Sequence, residues 1–148
     1  MPVSLVAIDD RVAIAGQLQP KDMKDVAAAG YVAVVNNRPD GEALFGQPRT
    51  ADLKKAAEEA GLFFLDLPFS GPRVTADQVR AFADLLARQP GRIVAYCKSG
   101  MRSSLLWGAT AIAQGRPLDD VLAAAQRAGQ NLEPVGEIMV ALGQAAQK

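Results

Sequence analysis

The single cysteine of the chain stands in the run Tyr96-Cys97-Lys98-Ser99-Gly100-Met101-Arg102-Ser103-Ser104. The apolar stretch Ile93–Tyr96 leads into this run, and a helical pattern from Ser103 leads out of it. A strand therefore delivers a thiol to a tight loop that opens onto a helix N-terminus. The first N–H groups of a helix have no intrahelical partner and point at whatever the loop encloses. The helix dipole and Arg102 both favour negative charge there. Such a place favours a thiolate, and the same cradle suits a tetrahedral oxyanion. Cys97 is the expected nucleophile, with Lys98, Ser99, Gly100 and Met101 lining the anion site. A lone cysteine by type alone is more often a small buried hydrophobe. The Cys-x4-Arg spacing at a strand-to-helix junction, with Ser-Ser following, selects the functional reading.

The chain contains no histidine at any position. Ser-His-Asp and Cys-His mechanisms are thereby excluded within it. One Cys and no His cannot build a Cys/His zinc site either, so neither metal nor cofactor is expected. Whatever activates Cys97 must be loop amides, helix dipole and Arg102. Sixteen basic residues offset sixteen acidic ones, and the two signs are interspersed, which argues against nucleic acid as the main partner. No stretch approaches the roughly 18 uninterrupted apolar residues of a membrane span. A single cysteine permits no internal disulfide and fits a reducing compartment. Met1-Pro2-Val3-Ser4 carries no basic segment followed by an apolar run. The expectation is a cytoplasmic protein without a signal peptide.

The elements that must position the loop are legible in the pattern of apolar runs. Val3–Ile8 and Val12–Ala15 read as two short strands around Asp9-Asp10. Pro20 opens a helix that ends before Gly30. Tyr31–Val35 is a buried strand running into the polar loop Asn36–Glu42. Thr50 is expected to cap a second helix ending at Gly61. Leu62–Leu67 is the next strand, followed by the loop Pro68–Val74. Thr75-Ala76-Asp77-Gln78 is a capping-box signature for a third helix reaching about Arg88. Beyond Ser103 the pattern stays helical, with breaks at Gly115-Arg116-Pro117 and Gly129-Gln130-Asn131. Trp107, Leu105, Leu106 and Ile112 fall at helical spacing and are assigned to the core, and Phe63, Phe64 and Phe69 to packing. Strands alternating with helices predict a single α/β domain over residues 1–148, with a mostly parallel sheet of four to five strands flanked by helices. Ligands on such sheets bind beyond the carboxyl ends of the strands. Asn36–Glu42, Pro68–Val74 and Cys97–Arg102 should converge there on one pocket.

Asn36-Asn37-Arg38-Pro39-Asp40-Gly41-Glu42, then Gly46-Gln47-Pro48, then Tyr96–Ser104, resemble the bacterial phosphatase-like domain of beta-lactamase hydrolase-like proteins, from about Leu5 to Leu142. The resemblance implies a dual-specificity-phosphatase-like fold. It also implies a partner in the form of a metallo-hydrolase or a component of persulfide metabolism. Members of that family carry both phosphatase and sulfurtransferase labels, so two chemistries stay open. Cysteine phosphatases carry His-Cys-x5-Arg, one residue longer than Tyr96-Cys97-x4-Arg102. The shorter loop resembles that of rhodaneses, whereas the helical segments after it resemble small phosphatases.

The position of a general acid also bears on the choice. Small phosphatases place an Asp just past the strand before the third helix, but Phe69-Ser70-Gly71-Pro72 holds no carboxylate. Asp66, and alternatively Asp40 or Glu42, are the remaining donors. Arg38 adds positive charge over the pocket or pairs with Glu42. Sulfur transfer needs no acid, because sulfite or a thiolate leaves readily. The primary expectation is therefore a sulfurtransferase that carries sulfane sulfur from thiosulfate or a persulfide on Cys97, with Ser103 bonded to the sulfur. The alternative is a cysteine-dependent tyrosine or dual-specificity phosphatase acting on a phosphoester through phosphocysteine. A non-enzymatic anion or redox sensor is the third class.

Overall fold

Among the described residues five strands form one sheet: β1 (Val6–Ala7), β2 (Val12–Ala15), β3 (Tyr31–Asn36), β4 (Phe63–Asp66) and β5 (Arg92–Tyr96). Their spatial order is β1-β2-β5-β3-β4. Only β1 runs antiparallel, against β2; the other pairings are parallel. The computed structural model describes residues 3–147. Met1 and Pro2, on which the expectation about a signal peptide partly rests, and Lys148, the expected end of the domain, lie outside the described residues.

Six α-helices among the described residues cover the sheet: α1 (Met23–Ala28), α2 (Thr50–Glu59), α3 (Ala76–Arg88), α4 (Met101–Ala113), α5 (Leu118–Arg127) and α6 (Gly136–Ala146). Met23 and Val26 of α1 and Leu53 and Ala57 of α2 pack with Leu18 on one face, over Ala13, Val34, Val94 and Tyr96. The other face, with Ile14, Val35, Ile93 and Ala95, lies under Phe82, Leu106, Trp107, Val121 and Met139 from α3 to α6. Because β3 and β5 are buried on both faces, they read in sequence as unbroken apolar runs. The α3 start is the expected capping box: Thr75 Oγ1 accepts the Gln78 N–H at 3.1 Å, and Gln78 Oε1 accepts the Thr75 N–H at 3.1 Å. Helix α4 is buried from Ser103 to Ala111. Helix α6 lies so close to it that a Cβ on Gly143 would come within 2.8 Å of Ile112 Cγ2. Trp107 is 2 % exposed, and its indole N–H donates to Asp9 Oδ2 at 2.8 Å.

Three local expectations need correction. The first strand is only Val6–Ala7, since its register pairs just Val6 with Ile14 and Ala7 with Ala13 before the turn at Asp9. Phe63 is 48 % exposed, because β4 is an edge strand and this side chain finds no covering helix. Thr50 is the first helical residue of α2 and not its cap. The capping oxygen comes from Asp40, whose Oδ1 accepts the Thr50 N–H at 2.9 Å and the Thr50 hydroxyl at 2.7 Å. All four parallel strands end on the same edge of the sheet, at Ala15, Asn36, Asp66 and Tyr96. The loops that follow them build the site.

Candidate active site

The chain leaves β5 directly into Cys97, which is 1 % exposed and unbonded to another sulfur. The backbone N–H of Gly100 donates to Cys97 Sγ at 3.1 Å, so the loop folds around its own thiol. Gly100 has φ 95°, and a Cβ there would lie 2.8 Å from Ile14 Cγ2 and 2.9 Å from Gln130 Nε2. Both the left-handed backbone and the close approach require glycine. The first α4 hydrogen bond runs from Ser104 N–H to Gly100 C=O at 2.9 Å. The N–H groups of Met101, Arg102 and Ser103 therefore lie ahead of the helical ladder, at the positive end of the dipole. Lys98 and Ser99 are exposed at the rim, and Met101 is 41 % exposed beside them.

Arg102 is where the loops meet. Its Nη1 donates to Glu42 Oε2 at 2.8 Å and to the Phe69 carbonyl at 3.1 Å, and its Nη2 donates to Glu42 Oε1 at 2.9 Å. Glu42 lies in the loop after β3 and Phe69 in the loop after β4, so all three expected loops converge on this guanidinium. An arginine has five N–H groups. The Glu42 and Phe69 contacts use three, leaving the Nε–H and one Nη2 proton as a second fork. Arg38, only 6 % exposed, donates through Nε to Glu42 Oε1 at 2.9 Å and through Nη1 to Gln17 Oε1 at 3.0 Å. Hydrogen bonding from Arg102, joined by Arg38 and opposed by burial, holds the Glu42 carboxyl down at about 2. Glu42, and to a lesser degree the neighbouring Cys97, raise the pKa of Arg102 above its ordinary value.

The acids expected as proton donors are engaged elsewhere. Asp66 accepts from Asn36 Nδ2 at 2.8 Å, across the register pair that joins β3 to β4. Asn36 Oδ1 in turn accepts the Arg38 N–H at 2.9 Å. Asp66 thus braces the arginine loop, and Asp40 caps α2. Glu42 is ionised and carries no proton to give. Ser103 is also corrected. Its hydroxyl donates to Asn37 Oδ1 at 2.8 Å and not to the sulfur. Asn37, fully buried, is oriented by donating through Nδ2 to the Leu67 carbonyl at 3.0 Å. Gln17, Asn37 and the Phe69 carbonyl are site components that residue-type reasoning missed. The unusual polarity of Asn36-Asn37-Arg38 directly after an apolar strand was the available signal, since all three are buried.

The Glu42 contacts predict an acid-sensitive stability. A carboxyl at about 2 when folded and near 4.5 when unfolded contributes stability that is fully present above pH 4.5. That contribution is lost as the pH falls toward 2. Glu42→Gln should therefore melt about 2–4 °C below the unsubstituted protein at pH 7. The gap should narrow as both are titrated downward from pH 4.5 toward 2. Melting curves with a gap that is constant over that range would show that the ion pairs do not support the loop.

The profile of the family described as beta-lactamase hydrolase-like protein, phosphatase-like domain, matches residues 4–116. A beta-lactamase hydrolase-like protein of Agrobacterium fabrum is 39 % identical over 102 residues, which is 69 % of this chain and 23 % of that protein. The chain thus spans about a quarter of the length of the curated relatives it matches. A solved structure from Neisseria meningitidis, provisionally named a phosphatase, superposes with a TM-score of 0.80 at 33 % identity, covering 93 % of this chain and 96 % of that one. The structure of PTPMT1 in complex with PI(5)P superposes with a TM-score of 0.73 over 96 % of each chain. At 17 % identity that likeness shows the fold alone.

These matches overturn the sulfurtransferase expectation. It rested on a loop one residue shorter than the phosphatase pattern and on the lack of a carboxylate in Phe69-Ser70-Gly71-Pro72. That short loop sits on a phosphatase-like architecture, and the matching family is phosphatase-like. Loop length was a weaker signal than the four helices packed behind the loop. The rhodanese-like comparison and the thiosulfate and persulfide substrates fall with that expectation.

Proposed function

This chain belongs to the phosphatase-like domain family of beta-lactamase hydrolase-like proteins, and we propose that it hydrolyses phosphate monoesters through a phosphocysteine on Cys97. The observation that carries the reading is the Cys97 loop itself. Sγ accepts the Gly100 N–H, three further amides sit at the α4 N-terminus, and Arg102 keeps a fork of N–H groups beside them. That arrangement is suited to three equatorial oxygens of a phosphoryl group.

In the first step the Cys97 thiolate attacks phosphorus, an S–P bond forms, and the ester P–O bond breaks. The leaving oxygen departs with the bonding pair and takes its proton from solvent. Charge on the phosphoryl oxygens is met by the loop amides and Arg102. In the second step water attacks phosphorus and loses a proton to solvent. The S–P bond breaks, which regenerates the thiolate and releases inorganic phosphate. Lys98 adds positive potential at the rim. Glu42 acts as a positioning residue: by gripping Nη1 and Nη2 end-on, it turns the other fork of Arg102 toward the cradle. Ser103 and Asn37 tie the loop to β3, so the amides keep their aim. Asp66 and Arg38 support the same loop one layer out.

The test is rapid acid quenching during turnover of a phosphorus-labelled aryl phosphate. Label should appear on the protein in one equivalent or less, within the peptide holding Cys97, and should be discharged by water. Steady turnover with no label on that peptide would replace the covalent route with direct attack by water.

A further inference from the structure

A cavity of about 360 Å³ opens beside Arg102. Its wall comes from three places: Pro72 after β4, Met101 and Leu105 on the first two turns of α4, and Pro134 and Val135 ahead of α6. Arg102 borders it, Asn131 is the other polar side chain on the wall, and no carboxylate lines it. The proposed reaction explains the cradle but not why apolar side chains should gather at its edge. Apolar side chains gathered next to an anion site offer cover to the organic part of a bound ester.

We propose that this groove takes the apolar organic group of the phosphate ester, so that the substrate class is a monoester of a hydrophobic alcohol or phenol and not of a sugar or other polyol. The inference rests on the phosphatase reading for its orientation. Arg102 belongs to both the cradle and the groove, so a phosphoryl group held in the first places its ester substituent at the mouth of the second. At about 30 Å³ per small non-hydrogen group, the cavity has room for roughly a dozen such atoms. That suits a short alkyl chain or one aromatic ring. Hydroxyl groups of a sugar would find Asn131 and little else to replace their water, and unpaired polar groups bind at a cost.

Alkylphosphonates separate the groove from the chemistry, since their P–C bond cannot be hydrolysed and their charge does not vary with chain length. Binding to the unsubstituted protein should tighten about 3-fold for each methylene from methyl- to pentylphosphonate. Phenylphosphonate should bind in the range of the pentyl compound. Val135→Asn, which removes apolar surface without adding charge beside Arg102, should flatten that series while leaving methylphosphonate affinity within a few-fold. Pro72→Ser, a milder change on the opposite wall, should flatten it in part. Equal affinity for methyl- and pentylphosphonate in the unsubstituted protein would overturn the proposal, as would a steep series left unchanged by both substitutions. Turnover of an aryl phosphate by the same preparation is recorded separately. Its failure would strike the hydrolytic reading, while the phosphonate slope would still decide the groove.

Discussion

Cys97→Ser is expected to lower kcat on an aryl phosphate by at least about 10³-fold while phosphate and phosphonates still bind within a few-fold of their original affinity. The two effects separate because the substitution changes nucleophilicity and almost nothing else. The side chain is 1 % exposed and accepts the Gly100 N–H beside Arg102, contacts that a hydroxyl oxygen can also make. The amides of α4 and the Arg102 fork keep their positions, so the oxyanion cradle persists. A serine hydroxyl, however, must lose a proton to attack. In serine hydrolases a histidine takes it, and this chain has none. A thiolate is itself the nucleophile and needs no base at the moment of attack. Steady-state rates with 4-nitrophenyl phosphate and calorimetric binding of inorganic phosphate measure the two halves. A variant that kept a tenth of the rate would remove Cys97 from the mechanism. One that lost phosphate binding as well would show that the thiol builds the cradle and does not merely attack from its floor.

What sequence reasoning reached, and where it stopped, follows from the range of the interactions involved. The Cys97 loop was legible because every part of it lies within nine residues, and a strand end, a left-handed glycine and a helix start each leave a local signal. The alternation of strands and helices gave the parallel sheet and therefore the edge on which the three loops gather. The capping box at Thr75 was visible for the same reason. The roles of the carboxylates were not visible, because they are decided by partners far away in the chain. Glu42 meets Arg102 across 60 positions, and Asp66 meets Asn36 across 30. Asp40 looked like a turn residue or an acid and proved to be the cap of a helix starting ten residues later. Nothing in residue type distinguishes a carboxylate that donates a proton from one that braces an arginine. The chemistry went astray by a related route: a one-residue difference in loop length was read as a change of reaction, although α3 to α6 behind the loop pointed the other way.

The way those carboxylates are engaged sets the second large effect. Expulsion of a poor leaving group is normally helped by a positioned acid, worth about 10²–10⁴-fold. Among the described residues, Glu42 is ionised between Arg102 and Arg38, Asp66 is held by Asn36, Asp40 is held by Thr50, and residues 67–75 contain no Asp or Glu. The ester oxygen must therefore leave without a proton from the enzyme, and the rate should track how stable the departing anion is. Between 4-nitrophenyl phosphate and phenyl phosphate, which present the groove with rings of similar size, kcat for phosphocysteine formation should fall by at least about 10²-fold. The same argument fixes the alkaline side of the pH profile. With no acid to deprotonate, the rate of that step should stay level from pH 7 to 9, where an acid-assisted enzyme would decline. Pre-steady-state bursts with the two esters, repeated across that range, measure both at once. Equal burst rates, or a decline on the alkaline side, would mean that a carboxylate leaves its present partner once substrate is bound. Glu42 would then be the group to follow, because a phosphoryl dianion on the other fork of Arg102 shares the positive charge that now keeps Glu42 ionised.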